Sequence, residues 1–186
     1  MQARLYAAVA AATALMLIPT PGTAQQANMA QSSNPVSDAF RDYAKRSATN
    51  LIAAADEFPA DKYAYKPTST QMSVGDIVVH LIQGNDYLCG SIGGTKAPTR
   101  TKVTSADTKE ALMAQLRESF AFCDQALAGL TDANLGEALP FFGGRKMSRA
   151  AVMTLTTGDW ADHYSQYANY LRLNGMLPPT AKKPAM

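Results

Sequence analysis

From Val36 onward, stretches in which apolar residues recur every three or four positions alternate with shorter ones rich in Pro, Gly and polar residues, the pattern of amphipathic helices joined by loops. In the first stretch Phe40, Tyr43, Ala44, Ser47, Leu51, Ala54, Ala55 and Phe58 share one helical face, Arg41, Lys45 and Asp56 lie off it, and Pro59 ends it. Residues 61–73 carry aromatics and a proline without a period. Ser73 then has the chemistry of an N-cap and Asp76 follows three positions later, predicting a second helix from Val74 to about Ser91. Its apolar residues, Ile77, Val78, Val79, Leu81, Ile82 and Leu88, surround it almost completely, which predicts burial of most of the helix, with His80 inside the apolar set. Asp107, followed by Glu110, predicts the start of a third helix whose face is Leu112, Leu116, Phe120, Cys123, Leu127 and Leu130, ending near Gly129. Residues 131–147 hold two apolar patches around Pro140, Gly143 and Gly144 and read either as a long loop or as a short hairpin. Ser148 caps a fourth helix to about Asn174, stopped by Gly175, Pro178 and Pro179. Four helices without a convincing strand predict an all-α chain, a four-helix bundle.

The N-terminus breaks this pattern. Met1 to Arg4 carries one positive charge, and Leu5 to Ile18 is a run of apolar and small residues, short for a membrane span. Pro19 and Pro21 interrupt it before Gly22-Thr23-Ala24, so it reads as a secretory signal peptide, residues 1–24, cleaved after Ala24. The competing reading is an uncleaved N-terminal anchor, whereas the lack of a cysteine near the cleavage site argues against a lipoprotein. The expected organisation is a signal peptide (1–24), a polar flexible leader (25–35), a helical domain (36–178) and a short polar tail (179–186). The expected location is the bacterial periplasm, with no stable membrane insertion after cleavage. In an oxidising compartment Cys89 and Cys123, on different predicted helices, either pair as a disulfide or stay as two buried thiols.

Composition narrows the classes. With 47% hydrophobic and 17% charged residues in 186, the chain matches an ordinary globular protein of one domain. A formal charge of +2 without a basic stripe argues against a nucleic-acid partner.

Chemistry concentrates in Thr154 to Leu173. Val152, Leu155, Asp159, His163, Gln166 or Tyr167, and Tyr170 form a stripe that should face the core, and a carboxylate there needs a partner. Four features in this order resemble the DinB-like (DinB/YfiT) superfamily: Tyr65-Lys66-Pro67 before a Ser-capped helix; His80-Leu81 within it; Phe142 to Ser148 leading into the last helix; and Asp162-His163-Tyr164-Ser165-Gln166 followed by Tyr170 to Gly175. The resemblance spans roughly residues 36–178 and implies a four-helix bundle with one divalent metal held by three side chains, usually histidines. They map to His80 on the second helix and to Asp159 and His163 on the fourth. Asp159 stands where the family most often has His, and Ser165 where Gly is common. Zinc, nickel, iron and manganese all accept such a set, so the metal's identity stays open.

The residues make physical sense as a set on their own terms. An i, i+4 pair points both side chains the same way, His80 need only come from a facing helix, and three ligands leave positions for water or substrate. The competing reading is a core histidine pair in which Asp159 simply holds the His163 imidazole. Gln166 is either a second polar group near the centre or a residue packed at a helix end, and Trp160 and Tyr164 either line a pocket or belong to the core. Two functions follow. One is a metal-dependent hydrolase or group transferase acting on an unknown small molecule; thiol-dependent transferases and isomerases of the resembled family use cytosolic thiols that export would remove. The other is a non-catalytic periplasmic metal- or ligand-binding or structural bundle, with a homodimer expected by analogy with other small bundles.

Overall fold

Local capping chemistry sets where three of the four helices begin in the computed structural model, which describes residues 32–182. The signal peptide, its cleavage point, leader residues 25–31 and tail residues 183–186 lie outside the described residues. Helix α1 spans Pro35–Glu57, α2 Val74–Gly93, α3 Lys109–Leu127 and α4 Arg149–Leu173. The Ser73 hydroxyl accepts from the Asp76 amide, and the Asp76 carboxylate accepts from the Ser73 amide, closing a capping box at the start of α2. Ser148 caps α4 by accepting from the Ala151 amide. At α3 the cap is Thr108, which accepts from Ala111, and not Asp107. Asp107 is already engaged one turn back, accepting from the amide and hydroxyl of Thr104. Residues 138–148 form a small hairpin, β1 (Ala138–Pro140) antiparallel to β2 (Lys146–Ser148), with Leu139 opposite Met147. Its tip turns through Gly143 and Gly144, both at positive φ, the conformation that favours glycine.

The contacts between helices define the bundle. Asn85 meets Ser119, Cys89 is bonded to Cys123, and a Cβ at Gly93 would overlap the Ala126 carbonyl, so α2 and α3 run parallel in close contact. Residues 94–108 cross back along the pair, held by Arg100 to Asp86 and Glu118 and by Gln115 to the Thr101 carbonyl. Helix α1 runs antiparallel to α3, with Arg41 donating to the Leu127 and Leu130 carbonyls at one end and Lys109 and Arg117 pairing with Asp56 at the other. It runs parallel to α4, matching Phe40 with Trp160 and Phe58 with Tyr167. Helix α4 is antiparallel to α2: Tyr170 donates to the Met72 carbonyl near the start of α2, and Trp160 donates to Asn85 further along it. The four helices thus form a ring in the order α1, α3, α2, α4, with one orientation shared by α1 and α4 and the opposite one by α2 and α3.

The core is the set of faces read from the apolar period. Leu51, Ile77, Leu81, Leu112, Leu116 and Leu127 are fully buried, each contributing roughly 1.5–3 kcal/mol by removal from water. The two cysteines form a disulfide between α2 and α3, with Cα atoms 5.1 Å apart. Among the described residues no helix is long and apolar enough to cross a membrane.

Candidate metal centre

Rotation of α4 about its axis decides what its polar residues meet. Val152, Met153, Thr156, Trp160, His163, Tyr167, Tyr170 and Leu171 face the core, a stripe offset from the expected one. Leu155 is 47% exposed, and Asp159 stands at the edge of the core rather than inside it. His80 also departs from expectation: its side chain is 45% exposed and opens the α2–α4 groove to solvent. Helix α2 is buried on the sides facing α3 and α4, and His80 projects from the seam beside α4.

The three side chains nevertheless converge. His80 Nε2 lies 3.2 Å from Asp159 Oδ1, and His163 Nε2 lies 3.4 Å from the same oxygen. The imidazole centroids are 4.6 Å apart with the rings inclined at 63°, and one ligand atom from each residue lies within 4.8 Å of both others. Two ligands each 2.0–2.1 Å from a tetrahedral metal are about 3.3 Å apart, so both histidine–carboxylate separations suit a shared ion. Exposure grades across the group, from 45% for His80 through 28% for Asp159 to 7% for His163, so the centre is walled on one side and open on the other. No side chain fills the space beside Asp159 from the next turn of α2, where Gly84 would bring a Cβ no closer than 4.0 Å to Asp159 Oδ2.

Burial by itself would raise the Asp159 carboxyl, but the neighbouring His163 and His80 outweigh it and hold the group well below the usual carboxylate range. Asp159 is therefore an anion at neutral pH and can only accept, so His80 donates in the bond between them. The same hydrogen bond raises the His80 pKa against the opposing effect of burial. His163 Nδ1 is buried without a hydrogen-bond partner among the described residues. The donor set of two imidazole nitrogens and a carboxylate oxygen fits a divalent cation, whereas the partner that usually orients a ligating imidazole from its far nitrogen is absent from this side of His163 among the described residues.

The other sequence candidates separate from the centre. Gln166 donates to Asp162 at 2.8 Å and remains on the outer surface. Tyr164 bonds Thr180 at 2.7 Å. Trp160 belongs to the core, where its indole stacks on Phe40 at 6.0 Å and approaches Phe120 at 6.1 Å. Its Nε1–H donates to Asn85 Oδ1 at 2.8 Å. Asn85 is a residue that sequence reasoning passed over; an amide three and four residues from Ile82, Leu88 and Cys89 on an apolar helix was the available signal.

The architecture has close counterparts. A DinB-like protein from Bacillus subtilis superposes with a TM-score of 0.62 at 21% identity, over 79% of this chain and 99% of its own. One from Bacillus cereus gives 0.63 at 18% identity, over 76% and 95%. A mycothiol-dependent maleylpyruvate isomerase gives 0.58 at 11% identity, over 70% of this chain and 60% of that protein. At these identities the likeness is one of fold. No curated protein matches the sequence. The family model described as "DinB superfamily" matches residues 43–167, from the third turn of α1 through both α4 members of the cluster, and the chain belongs to that superfamily.

Proposed function

We propose that the protein binds one divalent metal through His80 Nε2, Asp159 and His163 Nε2, and that the bound ion serves hydrolysis or group transfer on a small molecule. The observation that carries this reading is the pair of 3.2 and 3.4 Å separations about a single carboxylate oxygen, on a site open along its His80 side. A divalent ion held by three protein ligands supplies Lewis acidity and lowers the pKa of a bound water. The chain's own residues contribute the rest. The Asp159 carboxylate offsets one unit of the ion's charge, His163 forms the buried wall, and exposed His80 borders the side from which a substrate approaches. Two histidines and a carboxylate serve zinc and iron alike, so the metal is not specified by the donor set.

Export is part of the proposal, supported by the N-terminal charge–apolar–small pattern and by a disulfide, which persists in oxidising compartments. In the periplasm hydrolysis suits the site better than a reaction that needs a cytosolic thiol. The second reading, a binding protein without catalysis, is favoured by one observation: His163 Nδ1 has no hydrogen-bond partner among the described residues, whereas a ligating histidine usually has its far nitrogen bonded.

The test is metal content and titration of the purified protein beside His80→Ala and His163→Ala. One equivalent of metal in the wild type, lost in both variants, is the expected result; no binding after reconstitution overturns the proposal. Turnover of an ester, amide or thiol by the loaded protein separates the enzyme from the binder.

A further inference from the structure

A hydrogen bond behind the candidate centre ties the two helices that supply its side chains. Trp160 follows Asp159 directly in α4 and lies one turn before His163; it is 1% exposed, in contact with Phe40 of α1 and Phe120 of α3. Its indole N–H donates to Asn85 Oδ1 (2.8 Å), and Asn85 Nδ2 donates to Ser119 Oγ (3.0 Å), which in turn donates to the Leu116 carbonyl (2.9 Å). This chain of donors fixes the orientation of the Asn85 amide, because only its oxygen can face an indole that has no acceptor.

From this geometry we infer that Asn85 and Trp160 are positioning residues for the metal centre, setting the axial register of α4 against α2. This rests on the metal reading above. The apolar contacts between the helices are non-directional and tolerate sliding, whereas a buried indole N–H left without its acceptor loses its hydrogen bond without regaining one to water. A slide by one residue is about 1.5 Å, and metal–ligand distances tolerate only a few tenths of an ångström. Asn85 itself is held on the far side, because α2 is joined to α3 by Ser119 and, one turn on, by the Cys89–Cys123 disulfide. The Tyr170 bond to the Met72 carbonyl and the Tyr167 bond to the Val74 carbonyl anchor the other end of the α2–α4 seam, so the centre lies between two sets of polar ties.

The test separates register from stability. The double variant Asn85→Leu/Trp160→Phe removes both polar partners, so that no indole donor is orphaned in the core, although the smaller ring leaves a cavity. Ser119→Ala is the control, removing Asn85's other partner but leaving Trp160 bonded. Zinc affinity is measured by chelator competition, cobalt coordination by visible absorption and Tm by circular dichroism, on the full chain with its disulfide formed. The double variant is expected to melt below the wild type, to stay folded at the temperature of the titrations and to bind zinc there about tenfold or more weakly, with an altered cobalt spectrum, while Ser119→Ala keeps its affinity within about twofold. Wild-type affinity and spectrum in the double variant overturn the inference and leave the metal reading standing. A wild type that binds no metal overturns both. If the double variant does not fold, Trp160→Phe alone, which keeps a ring in the core, decides by the same affinity criterion.

Discussion

Asp159 Oδ1 lies 3.2 Å from His80 Nε2, across the seam between two antiparallel helices and 79 residues apart in sequence. This contact is a hydrogen bond between imidazole and carboxylate. With an ion bound, the same two atoms would become ligands. Asp159→Ala is accordingly expected to weaken metal binding by at least tenfold. Calorimetric titration of the variant beside the wild type checks it, and unchanged affinity removes Asp159 from the ligand set.

The Cys89–Cys123 bond closes a loop with a sequence separation of 34, for which restriction of the unfolded chain corresponds to about 4 kcal/mol. Reduction, or replacement of both cysteines by Ala, is expected to lower stability by about 2–4 kcal/mol. Urea unfolding with and without reductant measures it; a midpoint that does not move shows that the bond contributes nothing.

Two helical glycines, Gly158 within α4 and Gly93 at the last position of α2, make a contrasting pair. A Cβ at Gly93 would overlap the Ala126 carbonyl where α2 and α3 approach, whereas at Gly158 of α4 nothing lies within 4 Å. Gly158→Ala should stabilise by up to about 1 kcal/mol through helix propensity, and Gly93→Ala should instead destabilise by about 1–3 kcal/mol through the overlap. Thermal melts of the two variants test this, and shifts of the same sign contradict the packing argument.

The capping box of α2 carries a pH signature. Hydroxyls of Ser105 and Ser73, with the Ser73 amide, hold the Asp76 carboxyl below its usual pKa. A carboxylate depressed on folding contributes stability that is complete above the unfolded pKa of about 3.9 and is lost as pH falls through the lower folded value. Asp76→Asn should therefore be less stable than the wild type at pH 7, with the gap closing below about pH 4. Ser73→Ala should lose about 1 kcal/mol at neutral pH. Chemical denaturation across this range is the measurement, and an Asp76→Asn gap that stays constant with pH refutes the assignment.

Much of the bundle is legible in the chain because helix formation is read locally. The apolar face of α1, from Phe40 to Phe58, and that of α3, from Leu112 to Leu130, lie in the core as their spacing predicts, and Ser73 and Ser148 cap the helices they precede. The α3 cap was displaced by one residue because Asp107 and Thr108 have equivalent capping chemistry, and the direction of the preceding turn assigned Asp107 to Thr104. The hairpin at 138–148 was one of two local readings, since strands of three residues carry no period of their own.

The candidate centre divides in the same way. The i, i+4 spacing of Asp159 and His163 is a local property of α4, and the residue types that could hold a metal are evident from sequence alone. That His80 meets them, that it does so at an open seam, that Asp159 sits at the edge of the core, and that the two cysteines are bonded were decided by the tertiary structure. The apolar residues of α2 nearly encircle it, so periodicity does not say which side stays open. Only the packing of α2 between α3 and α4, with Asn85 holding Trp160, turns His80 toward Asp159.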